Sequence, residues 1–326
     1  MKKVSIIGAG MVGASAARYI SQMDIVNQVY LLDIKAGLAE GKAMDIMQAN
    51  WILGNTTEVV GCTNDYVQTA NSDIIVITSG VPRKPGMTRE ELVGVNSGIL
   101  KDIVTQCHEY SPRAIYIVVS NPVDTLSLYV HDLLKSLGRD DVDRTVIGFG
   151  GLLDSARLAY YVMVTDHLTN ETTFPITNYN GGFVIGGHGD TTMVPVVKQM
   201  LIPDKNRSRQ RIDLELTDEA IQLAIEETMK GGAILTELLG TSAWEAPAAG
   251  IAKVAQAILQ DEGCFPCSTY DHKRKIYIGK MCDLDRRGVF QSWLPSISRS
   301  IQIKWEEAAE AIKKVNESLP KIQEEG

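Results

Sequence analysis

Short apolar runs alternate with helix-like segments over the first half of the chain. The candidate strands are KVSIIG, QVYLLDI, DIIVITSG, AIYIVVSNP and RTVIGFG. The first segment between them, AGMVGASAARYISQM, has helical spacing and is rich in small residues. Strands that are apolar throughout are typical of a parallel sheet covered by helices on both faces. The pattern therefore predicts a doubly wound α/β sheet, which binds ligands at the carboxyl ends of its strands.

The rhythm changes after about residue 150. LLDSARLAYYVMV has helical spacing, and NYNGGFVIGGHGDTTMVPV has the pattern of strand and turn. A long helical pattern begins near Asp218 and is interrupted near Gly240, with Pro247 as a second candidate break. The chain ends in an amphipathic pattern with apolar residues three and four positions apart. These residues are Ile301, Trp305, Ala308, Ile312, Val315 and Leu319.

Composition narrows the class of protein. The chain has 326 residues, enough for two domains. Its net charge of −8 disfavours a general nucleic-acid binder, which is usually basic. We find no apolar run long enough to span a membrane and no signal peptide, so we expect a cytoplasmic protein without membrane partners.

The cysteines do not form an evident framework. Their number, five, is odd, which argues against a set of disulfides. The C-x-x-C stretch CFPC, with Cys282 and His272 nearby, allows a zinc site to be imagined, but a second well-spaced ligand pair is missing. We interpret CFPCSTY as a strand edge and expect no metal.

A glycine-rich turn follows the first strand. GAGMVG places Gly8, Gly10 and Gly13 in a G-x-G-x-x-G pattern, and the second strand then ends at Asp33. Such glycines allow a tight turn, close approach of a pyrophosphate and close packing of helix on strand. An acid at the end of the second strand, where Asp33 stands, accepts hydrogen bonds from the ribose hydroxyls of the cofactor and repels a 2′-phosphate. The stretch predicts an NAD site rather than an NADP site; the alternative is a glycine-rich turn without a ligand.

Two polar stretches follow other candidate strands. TSGVPRKPGMTREEL carries Arg83, Lys84 and Arg89 among residues that break regular structure. It is either a loop that brings cations to a ligand or a solvated basic loop. NPVDTL begins at Asn121, which can cap the following helix or orient a polar ligand.

The second half contains a candidate acid and base. Asp154 and Arg157 lie at positions i and i+3, on one side of a predicted helix with apolar flanks. Buried charges are costly unless they are paired or used, so the alternatives are a local salt bridge and a functional pair. His188 stands between glycines in GGHGD at the end of an apolar strand. Histidine suits proton transfer near neutral pH.

These stretches together resemble the NAD-dependent malate dehydrogenases of the lactate-dehydrogenase-like type. GAGMVG, Asp33, TSGVPRKPGMTR, VVSNPVD, LLDSAR and GGHGDT stand in that family's order, over roughly residues 3–260. The resemblance implies a Rossmann-type NAD-binding domain over residues 1–147 and an α+β substrate domain over residues 148–326. It also implies reversible oxidation of (S)-malate to oxaloacetate. The alternatives are a lactate or other 2-hydroxyacid dehydrogenase and, more distantly, a non-catalytic NAD-binding protein.

The resemblance assigns roles to individual residues. His188 is the implied catalytic acid and base, and Asp154 is its partner. Arg89 is implied to polarise the reacting carbonyl from a mobile loop. Arg157 is implied to hold the first carboxylate of the substrate and Arg83 the second, while Asn121 contacts both substrate and cofactor. The implied cofactor contacts are Gly8, Gly10, Met11, Val12, Gly13, Asp33, Asn96, Asn121 and the backbone of Val119.

Positions 83 and 243 bear on substrate choice. Lactate enzymes of this family usually carry glutamine where Arg83 stands, and Arg83 would demand an anionic side chain on the substrate. Ala243 replaces a bulkier threonine of the lactate enzymes, which leaves room for a larger substrate. We therefore expect oxaloacetate to be preferred to pyruvate.

Two departures from the family pattern affect the loops and the subunit contacts. The segment between Asp154 and His188 is several residues longer than usual, with the insertion expected around Thr169–Tyr179, and the sequence after Cys267 fits only loosely. The apolar helix GKAMDIMQANWIL is expected to pack against a second subunit, so we expect a homodimer or a homotetramer.

Overall fold

The computed structural model describes residues 2–82, 86–170, 182–197 and 217–322, with the side chains of residue 89 and residues 166–170 excepted. Within these ranges the helices are α1 (Met11–Gln22), α2 (Leu38–Leu53), α3 (Arg89–Tyr110), α4 (Val123–Ser136), α5 (Val142–Thr145), α6 (Gly151–Asn170), α7 (Asp218–Leu239), α8 (Glu245–Gln260) and α9 (Arg299–Asn316). The strands are β1 (Lys3–Ile7), β2 (Gln28–Asp33), β3 (Glu58–Thr63), β4 (Ile74–Ile77), β5 (Ile115–Val118), β6 (Val146–Gly148), β7 (Gly182–Gly186), β8 (Met193–Val197), β9 (Gly263–Asp271), β10 (Ile276–Asp285) and β11 (Gly288–Trp293).

The strands form one continuous sheet with a parallel and an antiparallel part. Its order is β3-β2-β1-β4-β5-β6-β9-β10-β7-β8, and β11 pairs with β10. The first six strands pair in parallel, in the doubly wound order 3-2-1-4-5-6. Beyond β6 the pairing is antiparallel and begins with a single bridge between Gly148 and Ser268. The prediction of a Rossmann-type parallel sheet is confirmed.

Helices cover both faces of the parallel part, which explains why its strands are apolar throughout. On one face α1 and α8 pack through small side chains such as Ala16, Ala17, Ala252 and Ala255, all of them buried. On the other face residues of α3 and α4 pack against β4 and β5. Because α8 comes from the second half of the sequence, one core joins both halves. The domain boundary between 147 and 148 stays a prediction.

Several local expectations were inaccurate. Strand β3 was not predicted, because EVVGCT is short and its glycine weakens the strand pattern. The structure explains this glycine: a Cβ on Gly61 would lie 2.2 Å from the Ala39 carbonyl oxygen. Pro247 does not break a helix, since it lies in the first turn of α8, where proline is tolerated. Strand β9, which contains CFPCSTY, is not at a sheet edge, since it lies between β6 and β10.

Gly250 of α8 is a position where packing demands glycine. A Cβ there would lie 2.5 Å from Cζ of the buried Phe149. We predict that Gly250→Ala lowers the free energy of unfolding by about 1–3 kcal/mol, as overpacking does. Gly98→Ala in α3 is the matched control, because no atom lies within 4 Å of its Cβ position; it should gain about 0.5–1 kcal/mol. Urea denaturation measures both, and equal stability of the two variants would contradict this packing.

Candidate active site

The turn between β1 and α1 is built by close approach of the backbone. Gly8 has a φ of +111°, which favours glycine, and a Cβ there would lie 2.8 Å from Thr78 Oγ1. A Cβ on Gly13 would lie 1.9 Å from the Gly8 carbonyl oxygen. Both glycines are therefore required by the protein's own packing, as the motif predicts.

Gly10 differs from these two glycines. No atom lies within 4 Å of its Cβ position, so the protein itself does not demand glycine there. Gly10 is the N-cap of α1, and no side chain caps this helix end. Uncapped N–H groups and the positive end of the helix dipole form a ready anion site. The open space at Gly10 and this helix end together fit a pyrophosphate.

Asp33 ends β2 beside the same turn. Its Oδ2 accepts a hydrogen bond from the Ala9 N–H at 2.7 Å, and its Oδ1 accepts one from the Lys35 N–H at 2.9 Å. These bonds fix the carboxylate while each oxygen keeps a second lone pair. Asp33 can therefore accept from ribose hydroxyls without moving, which fits NAD.

Asn96 holds two loops together at the ends of β4 and β5. Its amide donates to the carbonyl oxygens of Val81 (3.2 Å) and Asn121 (2.8 Å) and accepts from the Val81 N–H (2.9 Å). The residue is 1% exposed. In this arrangement the Asn96 amide positions the loops, and a direct contact with the cofactor stays a prediction. Asn121 itself is exposed, and Val119 is half-buried at the cleft.

Asp154 joins the two candidate reactive groups. Its Oδ2 lies 2.7 Å from His188 Nδ1, and its Oδ1 accepts a hydrogen bond from Arg157 Nη1 at 3.0 Å. The Asp154 side chain is 1% exposed, while His188 and Arg157 are 17% and 15% exposed. The expected contact between Asp154 and His188 is thus present, despite the longer segment between them. The buried carboxylate holds both side chains at the edge of a cleft.

Two opposing effects act on the pKa of His188. Burial disfavours the charged ring and lowers the pKa, but the charge and hydrogen bond of Asp154 raise it. Arg157 lowers it further and Asp124 raises it, and the net pKa lies above the usual 6.5. The geometry also selects a tautomer: Nδ1 donates to the carboxylate, so Nε2 is free to exchange a proton.

The guanidinium of Arg157 has a hydrogen-bond donor that no group in the described part of the chain uses. Its Nε is buried and has no hydrogen-bond partner among the described residues. Helix α7 approaches it at Gly231 and Gly232, whose Cβ positions would lie 3.5 Å from Cδ and 3.6 Å from Nη1 of Arg157. An unpaired buried donor is costly, and a guanidinium edge matches a carboxylate. The site therefore fits an acid ligand.

His188 and Arg157 line one cleft of about 520 Å³ at the carboxyl ends of the parallel strands, and Val12 of the glycine-rich turn lines it as well. The cleft brings together segments that are far apart in sequence. Its lining includes Val12, Asn96, Val119, Asn121, Arg157, His188, Gly232, Ser242, Ala243 and Pro247. A larger cavity of about 1020 Å³ opens at the amino ends of the strands, beside Lys2, Asp73 and Ile115. Parallel sheets bind ligands at the other edge, so the smaller cleft is the candidate site.

Two arginines were expected to contact the substrate, Arg83 and Arg89. Arg83 lies outside the described residues, as does most of the expected insertion. Arg89 is the first residue of α3, which begins with a capping box between Thr88 and Glu91, and its side chain is not described. Its backbone thus belongs to a helix start rather than to a loop. A role for Arg89 at the site stays a prediction.

Sequence reasoning missed Asp124, Ser268 and Gly150. The backbone N–H of His188 donates to Asp124 Oδ2 at 2.9 Å, and Ser268 Oγ donates to Asp124 Oδ1 at 2.5 Å. A Cβ on Gly150 would lie 2.7 Å from that of His188. The acid in NPVD at the start of a predicted apolar helix was the available signal for Asp124. Ser268 and Gly150 gave none.

The cysteine stretch does not assemble a metal site among the described residues. Cys264 is exposed and Cys267 is buried on β9, while the buried Cys282 donates to the Phe265 carbonyl oxygen. Within the same ranges, every helix is too short or too polar to cross a membrane. A cytoplasmic location stays a prediction.

Comparison with known proteins places the chain in a family. Residues 2–139 match the family model described as lactate/malate dehydrogenase, NAD binding domain. Two full-length relatives are the malate dehydrogenases of Parabacteroides distasonis, 43% identical over 327 residues, and of Bacteroides fragilis, 42% identical; each alignment covers 99% of both chains. The chain belongs to the malate dehydrogenases of the lactate/malate dehydrogenase family.

Solved structures of malate and lactate dehydrogenases have the same fold as this chain. The malate dehydrogenase of Salinibacter ruber superposes with a TM-score of 0.83 at 29% identity and 97% coverage of both chains. The lactate dehydrogenase of Cryptosporidium parvum, solved with lactic acid and nicotinamide adenine dinucleotide, has a TM-score of 0.81 at 26% identity and covers 99% of each chain. The predictions of the family, the α/β fold, an NAD-dependent oxidoreductase and NAD as cofactor are confirmed.

The two inner glycines of the turn allow a sharp test of the cofactor site. Gly10→Ala should fold and lose only about 0.5–1 kcal/mol, the cost of alanine at an N-cap, because its Cβ meets only open space. It should weaken NADH binding roughly tenfold or more, because the Cβ occupies the space of the pyrophosphate. Gly13→Ala is the matched variant. It should lose much more stability than Gly10→Ala, since a Cβ on Gly13 would lie 1.9 Å from the Gly8 carbonyl oxygen. NADH fluorescence titration and thermal unfolding separate the two effects. Unchanged NADH affinity in folded Gly10→Ala would contradict this placement of the pyrophosphate.

Proposed function

We propose that this chain interconverts malate and oxaloacetate with NAD at the cleft that holds His188. The observation that carries the proposal is the shared carboxylate of Asp154, which contacts His188 through one oxygen and Arg157 through the other. A proton-transfer group and a carboxylate-binding group are thereby fixed side by side. Full-length relatives named malate dehydrogenase support the same reaction.

His188 performs the proton step. Bound NAD would supply the hydride acceptor for the hydrogen on C2 of malate. In that direction the free Nε2 of neutral His188 removes the hydroxyl proton, and the Asp154 carboxylate stabilises the imidazolium that results. In reduction of oxaloacetate the protonated ring returns the proton. Burial of Asp154 strengthens this stabilisation, because little water screens it.

Three arginines are proposed to bind and polarise the substrate. Arg157 presents its unpaired Nε and the neighbouring Nη2 to the carboxylate next to the reacting carbon, a bidentate match that lysine cannot make. We propose that Arg83 pairs with the second carboxylate and that Arg89 stabilises negative charge on the reacting oxygen. Asn121, exposed at the cleft, is proposed to contact both substrate and cofactor.

The cofactor contacts follow the turn after β1. We propose that Gly8, Gly10 and Gly13, with Met11 and Val12 in the first turn of α1, surround the pyrophosphate. Asp33 accepts from the ribose hydroxyls, and its charge disfavours the 2′-phosphate of NADP. Val119 and Asn96 are proposed to contribute at the far end of the cofactor, Asn96 by fixing the loops.

We also propose that the chain acts as a homodimer or homotetramer. The last turns of α2 expose large apolar side chains that a monomer would leave in water. Trp51 is 88% exposed, and Ile52 and Leu53 are exposed beside it. An apolar cluster of this kind is typical of an interface.

The direct test follows NADH absorbance at 340 nm with oxaloacetate or pyruvate. Wild type is expected to prefer oxaloacetate by orders of magnitude in kcat/KM, and to prefer NADH to NADPH. Arg83→Gln should lose activity with oxaloacetate and gain it with pyruvate, because glutamine does not require a second carboxylate on the substrate. Equal or better use of pyruvate by wild type would contradict the proposed specificity, and no NADH loss by folded protein with either acid would contradict the activity.

The role of Asp154 has a separate signature in the pH profile. Malate oxidation requires neutral His188, so kcat/KM for malate should rise with pH through a pKa above 6.5. Asp154→Asn removes the charge that raises this pKa, so the midpoint should move to lower pH. The plateau should also fall, on the order of a thousandfold, because the imidazolium loses its partner. NADH affinity is the control and should not change; a midpoint that stays in place would count against the assigned pair.

A further inference from the structure

Asp124 is a buried carboxylate that the proposed reaction does not use. It is the second residue of α4 and is 7% exposed. Its two oxygens have different partners: Oδ2 accepts the backbone N–H of His188 at 2.9 Å, and Oδ1 accepts the hydroxyl of Ser268 at 2.5 Å. One side chain therefore connects α4, the turn after β7 and the middle of β9.

This connection fixes the part of His188 that Asp154 does not reach. Asp154 holds the ring through Nδ1, whereas Asp124 holds the backbone of the same residue. The turn that carries His188 starts at Gly186, whose φ of +82° ends the strand. Glycine-rich backbone is permissive, so it needs an external anchor to hold one conformation. On the remaining side the ring is in contact with Gly150, where a Cβ would not fit.

Charge adds a second consequence. Burial raises the pKa of Asp124 above its usual value; the Ser268 hydroxyl and the His188 N–H oppose this shift by stabilising the anion but do not cancel it. The charged groups that act most strongly on the His188 ring are Asp154 and Arg157 on α6 and Asp124 on α4. Asp190, two residues after His188, lines the same cleft. An ionised Asp124 favours the imidazolium form, in the same sense as Asp154.

We propose that Asp124 and Ser268 are positioning residues for the acid–base step: Asp124 anchors the backbone of His188, and Ser268 holds Asp124 in place. Neither touches the reacting atoms. The inference rests on the proposed function, because it assigns to His188 the proton transfer that positioning would serve. A purely structural acid in the first turn of a helix, stabilised by the helix dipole, is the competing explanation.

Two substitutions at Asp124 separate geometry from charge. In Asp124→Asn the amide oxygen can still accept the His188 N–H, and the amide nitrogen can donate to Ser268 Oγ. In Asp124→Ala both anchors are lost. We expect Asp124→Ala to lower kcat roughly tenfold to a hundredfold with little change in KM or NADH affinity, since small displacements of a reacting group are costly. Asp124→Asn should recover most of kcat.

The pH profile tests the charge. In Asp124→Asn the midpoint of kcat/KM for malate should move to lower pH, and the midpoint for oxaloacetate reduction should move with it. Ser268→Ala should lower kcat less than Asp124→Ala does, because Asp124 keeps its bond to His188. Asp24→Asn is the matched control, since Asp24 also accepts backbone N–H groups, from Thr56 and Thr57, at a place outside the cleft. It should leave both profiles unchanged.

A nuclear magnetic resonance titration of the His188 ring gives an activity-independent reading. The His188 pKa should be lower in Asp124→Asn than in wild type and unchanged in Asp24→Asn. If wild type reduces oxaloacetate but kcat in Asp124→Ala and the His188 pKa in Asp124→Asn both match wild type, the inference is wrong and the function stands. If wild type is inactive with every oxo acid, the proposed function fails, and an unshifted His188 pKa in Asp124→Asn would then also overturn the positioning role. Should Asp124→Ala not fold, Asp124→Asn and Ser268→Ala carry the test.

Discussion

The carboxylate of Asp154 is the constraint on which the site depends. It is almost fully buried, and one of its oxygens contacts His188 while the other contacts the Arg157 guanidinium. A buried carboxylate without partners would be protonated or costly, so His188 and Arg157 stabilise it as much as it orders them. Because both partners contact a single group, the spacing between the proton-transfer atom and the carboxylate-binding edge is set by one side chain. This spacing selects acids whose carboxylate and reacting oxygen lie at the matching distance from each other.

The fold supplies this arrangement by bringing together segments far apart in sequence. Asp154 and Arg157 come from α6, which follows the last parallel strand, whereas His188 comes from the antiparallel part of the sheet. The pairing of β6 with β9 and of β10 with β7 joins the two parts. Helix α7 borders the cleft with glycines next to Arg157, and α8 packs on α1, the helix that follows the glycine-rich turn. The proposed cofactor and substrate sites therefore lie on one continuous hydrophobic core.

Much of this could be predicted from sequence, because the decisive signals are local. The glycine turn, the acid at the end of β2 and the i, i+3 pair of Asp154 and Arg157 each lie within a few residues. The features that the sequence did not predict depend on long-range pairing or on a weak local pattern. The interior position of β9 depends on pairings across more than a hundred residues, and β3 is a short strand weakened by Gly61. Asp124 and Ser268 meet only in the folded chain, although the acid of NPVD was visible.

The most direct test is the protonation of His188 itself, observed by nuclear magnetic resonance with ¹⁵N-labelled histidine in the protein without substrate. At high pH the ring should carry its proton on Nδ1, facing Asp154, with Nε2 unprotonated, and it should titrate with a pKa above 6.5. Asp154→Asn identifies the signal and should lower that pKa. A ring protonated on Nε2 at high pH, or a wild-type pKa below 6.5, would contradict the central role of the Asp154 carboxylate.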